Sequence, residues 1–325
     1  MKMWLKKIAF IDTVHPVLQE GLEKLGWQCT DFTATSKEQI LAVIHDYNGI
    51  VIRSRFSMNK DFLDKATALE FIARSGAGME NIDIDYCANR KIELFNAPEG
   101  NRNAVAEHAL GMLLALFNNL NRCDEEVRKG RWERERNKGV ELDGKTIGLI
   151  GYGNNGSAFA KKLSGFDVQI LAYDKYKTGF GNEFVKESSW QEIYAQADVL
   201  SFHIPQNQET LALFDDRCLN NFAKSIYLIN LSRGKIVKTL TVKNGIEGGK
   251  ILGACLDVLE YEQSSFENMF DKLDDLPEEF KFILQSDKVI LSPHVGGWTH
   301  ESYYKLSSVL LEKIENWASE SPNFL

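Results

Sequence analysis

Short apolar runs alternate with amphipathic stretches along most of the 325-residue chain. Residues 7–11, 49–53 and 71–74 are runs with little polar alternation, the pattern of strands buried on both faces of a parallel sheet. Residues 16–25 follow the first run as an amphipathic helix that Gly26 ends. Ser36 caps a second helix over 37–44, with Gln39 three positions on as its capping-box partner. The alternation resumes at 147–150 and continues with strands at 168–173, 199–203, 226–230, 251–255 and 289–291, and with helices at 157–163 and 190–197. This order predicts an α/β fold of two Rossmann-like domains, each a parallel sheet flanked by helices. Residues 104–117 are apolar around most of a helical surface, which predicts burial between domains or subunits. Thr299 opens a last amphipathic helix through Trp317. Residues 261–287 are longer and more acidic than a simple connection, and an extra helix is expected there.

The stretch from Lys145 to Asp174 carries the most specific signal. Gly151, Gly153 and Gly156 form G-x-G-x-x-G between a buried-type strand and a helix. Gly151 suits a tight turn, Gly153 a close approach of backbone to a pyrophosphate, and Gly156 close helix–strand packing. The helix start presents free N–H groups to the phosphates. A second strand ends at Asp174, 174 − 156 = 18 residues past the last glycine, where a carboxylate meets the adenosine ribose hydroxyls. Glycines closing a strand–helix turn also occur without a ligand. Here strand, helix, second strand and terminal acid stand in order, and a dinucleotide, NAD rather than NADP, is the expected cofactor. The residues assigned to it are Gly151, Gly153, Asn154, Asn155, Gly156 and Asp174, with His203 and Pro205 at the end of a later strand. Lys175 and Lys177 work against the preference for NAD, since they could offset the repulsion of a 2′-phosphate by Asp174.

Composition narrows the classes. At this length the chain is expected to hold two domains with separate cores. A net charge of −8 argues against a general nucleic-acid surface. The five cysteines lack C-x-x-C spacing, which suggests neither a disulfide framework nor a metal site and fits a reducing, cytoplasmic setting. No apolar run reaches membrane-spanning length.

Chemistry-bearing residues fall at predicted strand ends, where open α/β sheets bind ligands. Arg53, Arg55 and Arg74 follow the early strands, and residues 75–81 hold glycines whose amides suit an anion. Later come Arg233, Glu262 and His294. Arginine grips a carboxylate with a planar fork. Histidine exchanges the hydroxyl proton, and glutamate on its second nitrogen fixes the tautomer and favours the protonated ring. His108, inside the apolar helix, reads as a hydrogen-bonded structural histidine.

The segments 74–83, 129–134, 141–148, 230–234 and 293–297, in this order, resemble those of the D-isomer-specific 2-hydroxyacid dehydrogenases. The likeness covers nearly the whole chain and is strongest to the 3-phosphoglycerate dehydrogenases. It implies that Arg233, Glu262 and His294 are catalytic and that Asp257 lies near the nicotinamide carboxamide. It also implies that Gly76, Ala77 and Gly78 offer amides to the substrate carboxylate. The implied domains interleave: 1–102 with 297–325 bind substrate, and 103–296 bind NAD. A homodimer through the cofactor domains is expected, with the segment around Trp132 needing a partner. For a phosphorylated hydroxy acid, Arg53 and Arg74, with Arg55 as a further candidate, are expected to hold the phosphate.

Three positions depart from the family. Asn155 replaces an apolar residue, Gln263 replaces a proline, and the chain ends at Leu325 where many phosphoglycerate dehydrogenases continue into a regulatory domain. Feedback through such a domain is therefore not expected. The alternatives are a glyoxylate or hydroxypyruvate reductase and, from another class, an NAD-sensing corepressor-like protein. The last is disfavoured by the lack of Pro/Ser-rich ends. Glu262 stands where a formate dehydrogenase has glutamine.

Overall fold

The computed structural model describes residues 6–262 and 276–320. The chain divides into two compact units, one of residues 1–101 and 298–325 and one of residues 102–297.

The first unit is built on a five-stranded sheet, ordered β2-β1-β3-β4-β5 and parallel throughout. Its strands are β1 (Lys7–Phe10), β2 (Gln28–Asp31), β3 (Gly49–Ile52), β4 (Phe71–Arg74) and β5 (Glu93–Asn96). Side chains alternate between two cores. Ile8, Phe10, Val51, Phe71 and Ala73 face one core with Leu306, Leu310 and Ile314. Ala9, Ile50, Ile52 and Ile72 face the other with Phe62 and Leu63. Burial on both faces is why these strands read as continuous apolar runs. The helices are α1 (Pro16–Lys24), α2 (Lys37–Val43), α3 (Lys60–Lys65) and α4 (Ile84–Asn89), with α12 (His300–Glu320) packed on α1. Ser36 and Gln39 form the predicted capping box.

The second unit holds a parallel seven-stranded sheet, ordered β12-β11-β10-β9-β6-β7-β8. The strands are β6 (Thr146–Ile150), β7 (Gln169–Tyr173), β8 (Val185–Glu187), β9 (Val199–Phe202), β10 (Ile226–Asn230), β11 (Ile251–Leu256) and β12 (Val289–Leu291). Strand order reverses at β6, which has β7 on one side and β9 on the other, making a topological switch point. Register aligns the C-terminal ends. Ile150 lies opposite Tyr173 and Phe202, Asn230 opposite Phe202 and Leu256, and Leu256 opposite Leu291. The residues that follow these ends therefore emerge along one edge of the sheet.

α5 (Pro98–Phe117) begins earlier than its apolar stretch, with Pro98 in the first turn where a missing N–H costs nothing. Burial between domains or subunits was the expectation for it. Instead its apolar residues Val105, Ala109, Met112, Leu113 and Phe117 join the second unit's own core with Ile147, Leu149 and Phe159. α7 (Asn154–Leu163), α8 (Trp190–Gln196), α9 (Asp216–Asn220) and α10 (Thr239–Glu247) connect the strands, and α6 (Leu120–Arg128) follows α5. α11 (Glu278–Gln285) lies in the acidic stretch where an extra helix was expected. Residues 263–275, including Gln263, fall outside the described residues. No described helix is long and apolar enough to cross a membrane.

Candidate active site and cofactor loop

The glycine loop leaves β6 in a left-handed turn, with Gly151 at φ +95°. A Cβ there would lie 2.4 Å from His203 O, and one on Gly156 would lie 2.1 Å from Gly151 O. Both glycines are therefore demanded by the protein itself. A Cβ on Gly153 would meet nothing within 4 Å, so nothing in the described chain requires glycine there. Gly153 is also the N-cap of α7 and provides no side-chain cap. Asn155 Oδ1 is buried without a hydrogen-bond partner. Open space and uncapped amides fit a dinucleotide pyrophosphate, whereas the Asn155 oxygen, an acceptor, would need a donor elsewhere.

Asp174, just past β7, is fixed by three amides. Oδ2 accepts from Tyr152 N at 2.8 Å, and Oδ1 from Tyr176 N at 2.9 Å and Lys177 N at 3.0 Å. Lys175 Nζ is paired with Glu209 Oε2 at 2.7 Å. Pro205 is exposed, and its carbonyl accepts from Thr210 Oγ1 at 2.7 Å. His203 turns its ring to Ser201, with Nε2 and Oγ 2.9 Å apart, and desolvation pulls its pKa down to about 4. It supports the glycine turn from beneath through its carbonyl.

His294 and Glu262, expected from the sequence to act as a pair, meet from two loops. His294 Nδ1 lies 3.0 Å from Glu262 Oε2. Glu262 Oε1 accepts from Leu259 N at 3.0 Å. Gly234, next to Arg233, packs so tightly that a Cβ would lie 1.8 Å from Leu259 O. The arginine and glutamate loops are thus in contact. Asn230 Nδ2 donates to Arg233 O at 3.0 Å, and Arg233 Nη1 donates to Ser232 O at 2.6 Å.

Asp257 does more than its predicted place beside the nicotinamide required. It is only 2% exposed, and its Oδ1 accepts from Ser292 Oγ at 2.6 Å and Val295 N at 2.9 Å. Its Oδ2 accepts from Gly296 N at 2.8 Å, and its carbonyl from His294 N at 2.8 Å. These bonds hold His294 at φ +54°, a left-handed conformation costly for a non-glycine residue. His108 Nε2 sits 2.9 Å from Ser292 Oγ, behind the same loop. Sequence reasoning passed over Ser292, whose only signal is its position one residue past β12.

In the first unit the arginines separate. Arg55 donates to the carbonyls of Ile11, Phe32 and Thr35 at 3.1, 2.8 and 2.7 Å, so it ties loops together and is withdrawn as a phosphate ligand. Arg74 Nε donates to Arg53 O at 3.2 Å, and its guanidinium lies over Gly76, where a Cβ would meet Nη1 at 1.7 Å. The Gly76 amide is spent on Arg74 O at 2.8 Å, which corrects its assignment to the substrate carboxylate. The Ala77 and Gly78 amides have no acceptor among the described residues. Asn96 Nδ2 donates to Ala77 O at 2.7 Å and steadies that loop. No cluster of metal-ligating side chains occurs among the described residues.

Residues 110–296 match the NAD binding domain of the D-isomer specific 2-hydroxyacid dehydrogenases. The chain belongs to this family. Among its relatives, the D-3-phosphoglycerate dehydrogenase of Archaeoglobus fulgidus is 31% identical over 313 residues, 95% of this chain and 57% of that one. The chain spans about half the length of the curated D-3-phosphoglycerate dehydrogenases it matches. The hydroxypyruvate reductase of Thermotoga maritima is 30% identical over 280 residues, 86% of this chain and 87% of that one. The solved structure of D-2-hydroxyisocaproate dehydrogenase aligns with a TM-score of 0.84 at 22% identity over 98% of each chain, which shows a shared fold. The match covers the glycine loop and the whole of the seven-stranded sheet.

Proposed function

We propose that this chain is an NAD-dependent oxidoreductase acting on a D-2-hydroxy acid, with Arg233, Glu262 and His294 as its catalytic set. The observation that carries the reading is the His294–Glu262 pair, joined at 3.0 Å on a loop clamped by Asp257. In the reducing direction, Arg233 grips the carboxylate of the 2-oxo acid and polarises the carbonyl. NADH, when bound, supplies a hydride to C2. His294 Nε2 gives its proton to the carbonyl oxygen, so hydride and proton together complete the hydroxyl. Glu262 holds Nδ1–H and keeps Nε2 aimed at the substrate. The cofactor would rest on Gly151, Gly153, Asn154, Asn155 and Gly156, with Asp174 at the ribose. The Glu209 partner of Lys175 supports NAD over NADP, because it withholds a cation from a 2′-phosphate.

The substrate we favour is 3-phosphoglycerate, interconverted with 3-phosphohydroxypyruvate, with equilibrium favouring reduction. Arg53 and Arg74 would hold the phosphate, each charge-assisted bond contributing about 1.5–3 kcal/mol. The Ala77 and Gly78 amides would assist at the carboxylate. Hydroxypyruvate reduction is the second reading, favoured by the Thermotoga maritima relative matched over 87% of its length. In Arg74→Ala, kcat/KM for phosphohydroxypyruvate is expected to fall about tenfold to a hundredfold, while hydroxypyruvate suffers less. Equal losses on the two compounds would rule out the phosphate reading. A homodimer is also proposed, since Trp132 is 77% exposed on a segment folded by Asn137 bonds to the buried Glu126. Light scattering that gives a monomer mass at micromolar concentration would refute it.

A further inference from the structure

Arg53 and Arg55 follow β3 two positions apart, but only Arg55 spends its N–H groups on the protein. Asp12 Oδ2 is occupied by the main-chain amides of Arg53, Ser54 and Arg55 at 2.6, 3.0 and 3.2 Å. Among the described residues, no acceptor takes a hydrogen bond from the Arg53 guanidinium and no carboxylate forms an ion pair with it. The group is half-buried, and burial pushes its pKa down from the ordinary value. The Asp12 charge offsets part of that burial but takes no hydrogen bond from the guanidinium, so its five donors remain for an anion.

What the guanidinium does have is a ring. It lies 4.0 Å from the centroid of Trp298, a residue that sequence reasoning did not single out. Stacking covers the guanidinium face and leaves the N–H edge open. The ring is itself held in place. Thr299 Oγ1 accepts from Ser302 N at 3.0 Å and Ser302 Oγ from Thr299 N at 2.8 Å, a reciprocal cap at the start of α12. Trp298 precedes that cap and packs edge-on against Tyr303 at 5.4 Å, as a hydrophobic staple does. His15 closes the column against Tyr303 at 5.5 Å and Tyr304 at 5.1 Å. Trp298 nevertheless stays 47% exposed, an unusual state for a tryptophan fixed by its neighbours.

We propose that Trp298 is a specificity-determining residue, which holds Arg53 flat so that its N–H edge grips a phosphate or carboxylate at the far end of the 2-oxo acid. The assignment deepens the phosphorylated-substrate reading and rests on it. Substrates without a distal anion gain nothing from the stack, and a bulky ring beside the arginine disfavours extended apolar chains.

The test is the ratio of kcat/KM for phosphohydroxypyruvate to that for hydroxypyruvate, measured with NADH in Trp298→Ala, Trp298→Phe and Arg53→Met. NADH affinity by fluorescence titration serves as the control for folding. Trp298→Ala is expected to lower the ratio about tenfold through KM, the size of a lost cation–π contact with its positioning. Trp298→Phe, which keeps the staple with a weaker stack, is expected to fall between Trp298→Ala and wild type. If Arg53→Met lowers the ratio and neither Trp298 variant does, the stack has no role in specificity. If Arg53→Met leaves the ratio unchanged, the phosphate reading itself fails.

Discussion

At the scale of single residues, type and position named the catalytic candidates, but contacts sorted them. Arg53, Arg55 and Arg74 were alike in sequence, each beyond a buried strand. Three backbone carbonyls, one after β1 and two from the turn after β2, claim Arg55. No local pattern carries that information, because it depends on which loops meet. Asp257 was legible as a site residue, yet its hold on the histidine loop follows from strand register between β11 and β12. His203 offers a test at this scale. Its folded pKa lies near 4, below the ordinary value of about 6.5, so the unfolded chain binds more protons between these limits. The stability it contributes is therefore full above pH 6.5 and lost as pH falls toward 4. Between pH 7 and 5 the wild type is expected to lose about 2 kcal/mol more than His203→Gln in urea denaturation. Parallel pH profiles for the two proteins would contradict the burial argument.

At the scale of elements, legibility followed burial and capping. Strands covered on both faces, such as β3 and β6, read as apolar runs, and Ser36 announced α2. The edge strands β2, β5 and β8 were not legible, because Gln28–Asp31, Glu93–Asn96 and Val185–Glu187 are polar and half-solvated. α3 and α4 are too short for periodicity to register. The glycine loop was legible in full, and its geometry divides the roles. Gly156→Ala is expected to lower Tm by several degrees, since its Cβ must displace Gly151 O. Gly153→Ala is expected to keep the wild-type Tm while weakening NADH binding about tenfold or more, because a Cβ there meets no protein atom and would meet the proposed cofactor. Thermal scans with and without NADH separate the two. A Gly153→Ala protein that binds NADH normally would refute that assignment.

At the scale of the whole molecule, strand–helix alternation was enough to imply parallel sheets, and the two sheets of five and seven strands follow that order. The division after Asn101 and again after Gly297 is another matter. Pro98 and Gly100 stand just before the first cut, but they lie within α5 and not in a linker, so only family resemblance pointed to interleaving. The residues proposed to carry the chemistry follow β10, β11 and β12, which end in register, and the central claim is that the His294–Glu262 pair there moves the proton. The most direct measurement compares wild type with His294→Ala, following NADH oxidation with phosphohydroxypyruvate together with NADH affinity. The claim predicts a kcat lowered about 10²- to 10⁴-fold with NADH binding nearly unchanged. A variant that turns over at the wild-type rate, or a wild type that oxidises no NADH with any 2-oxo acid, would contradict it.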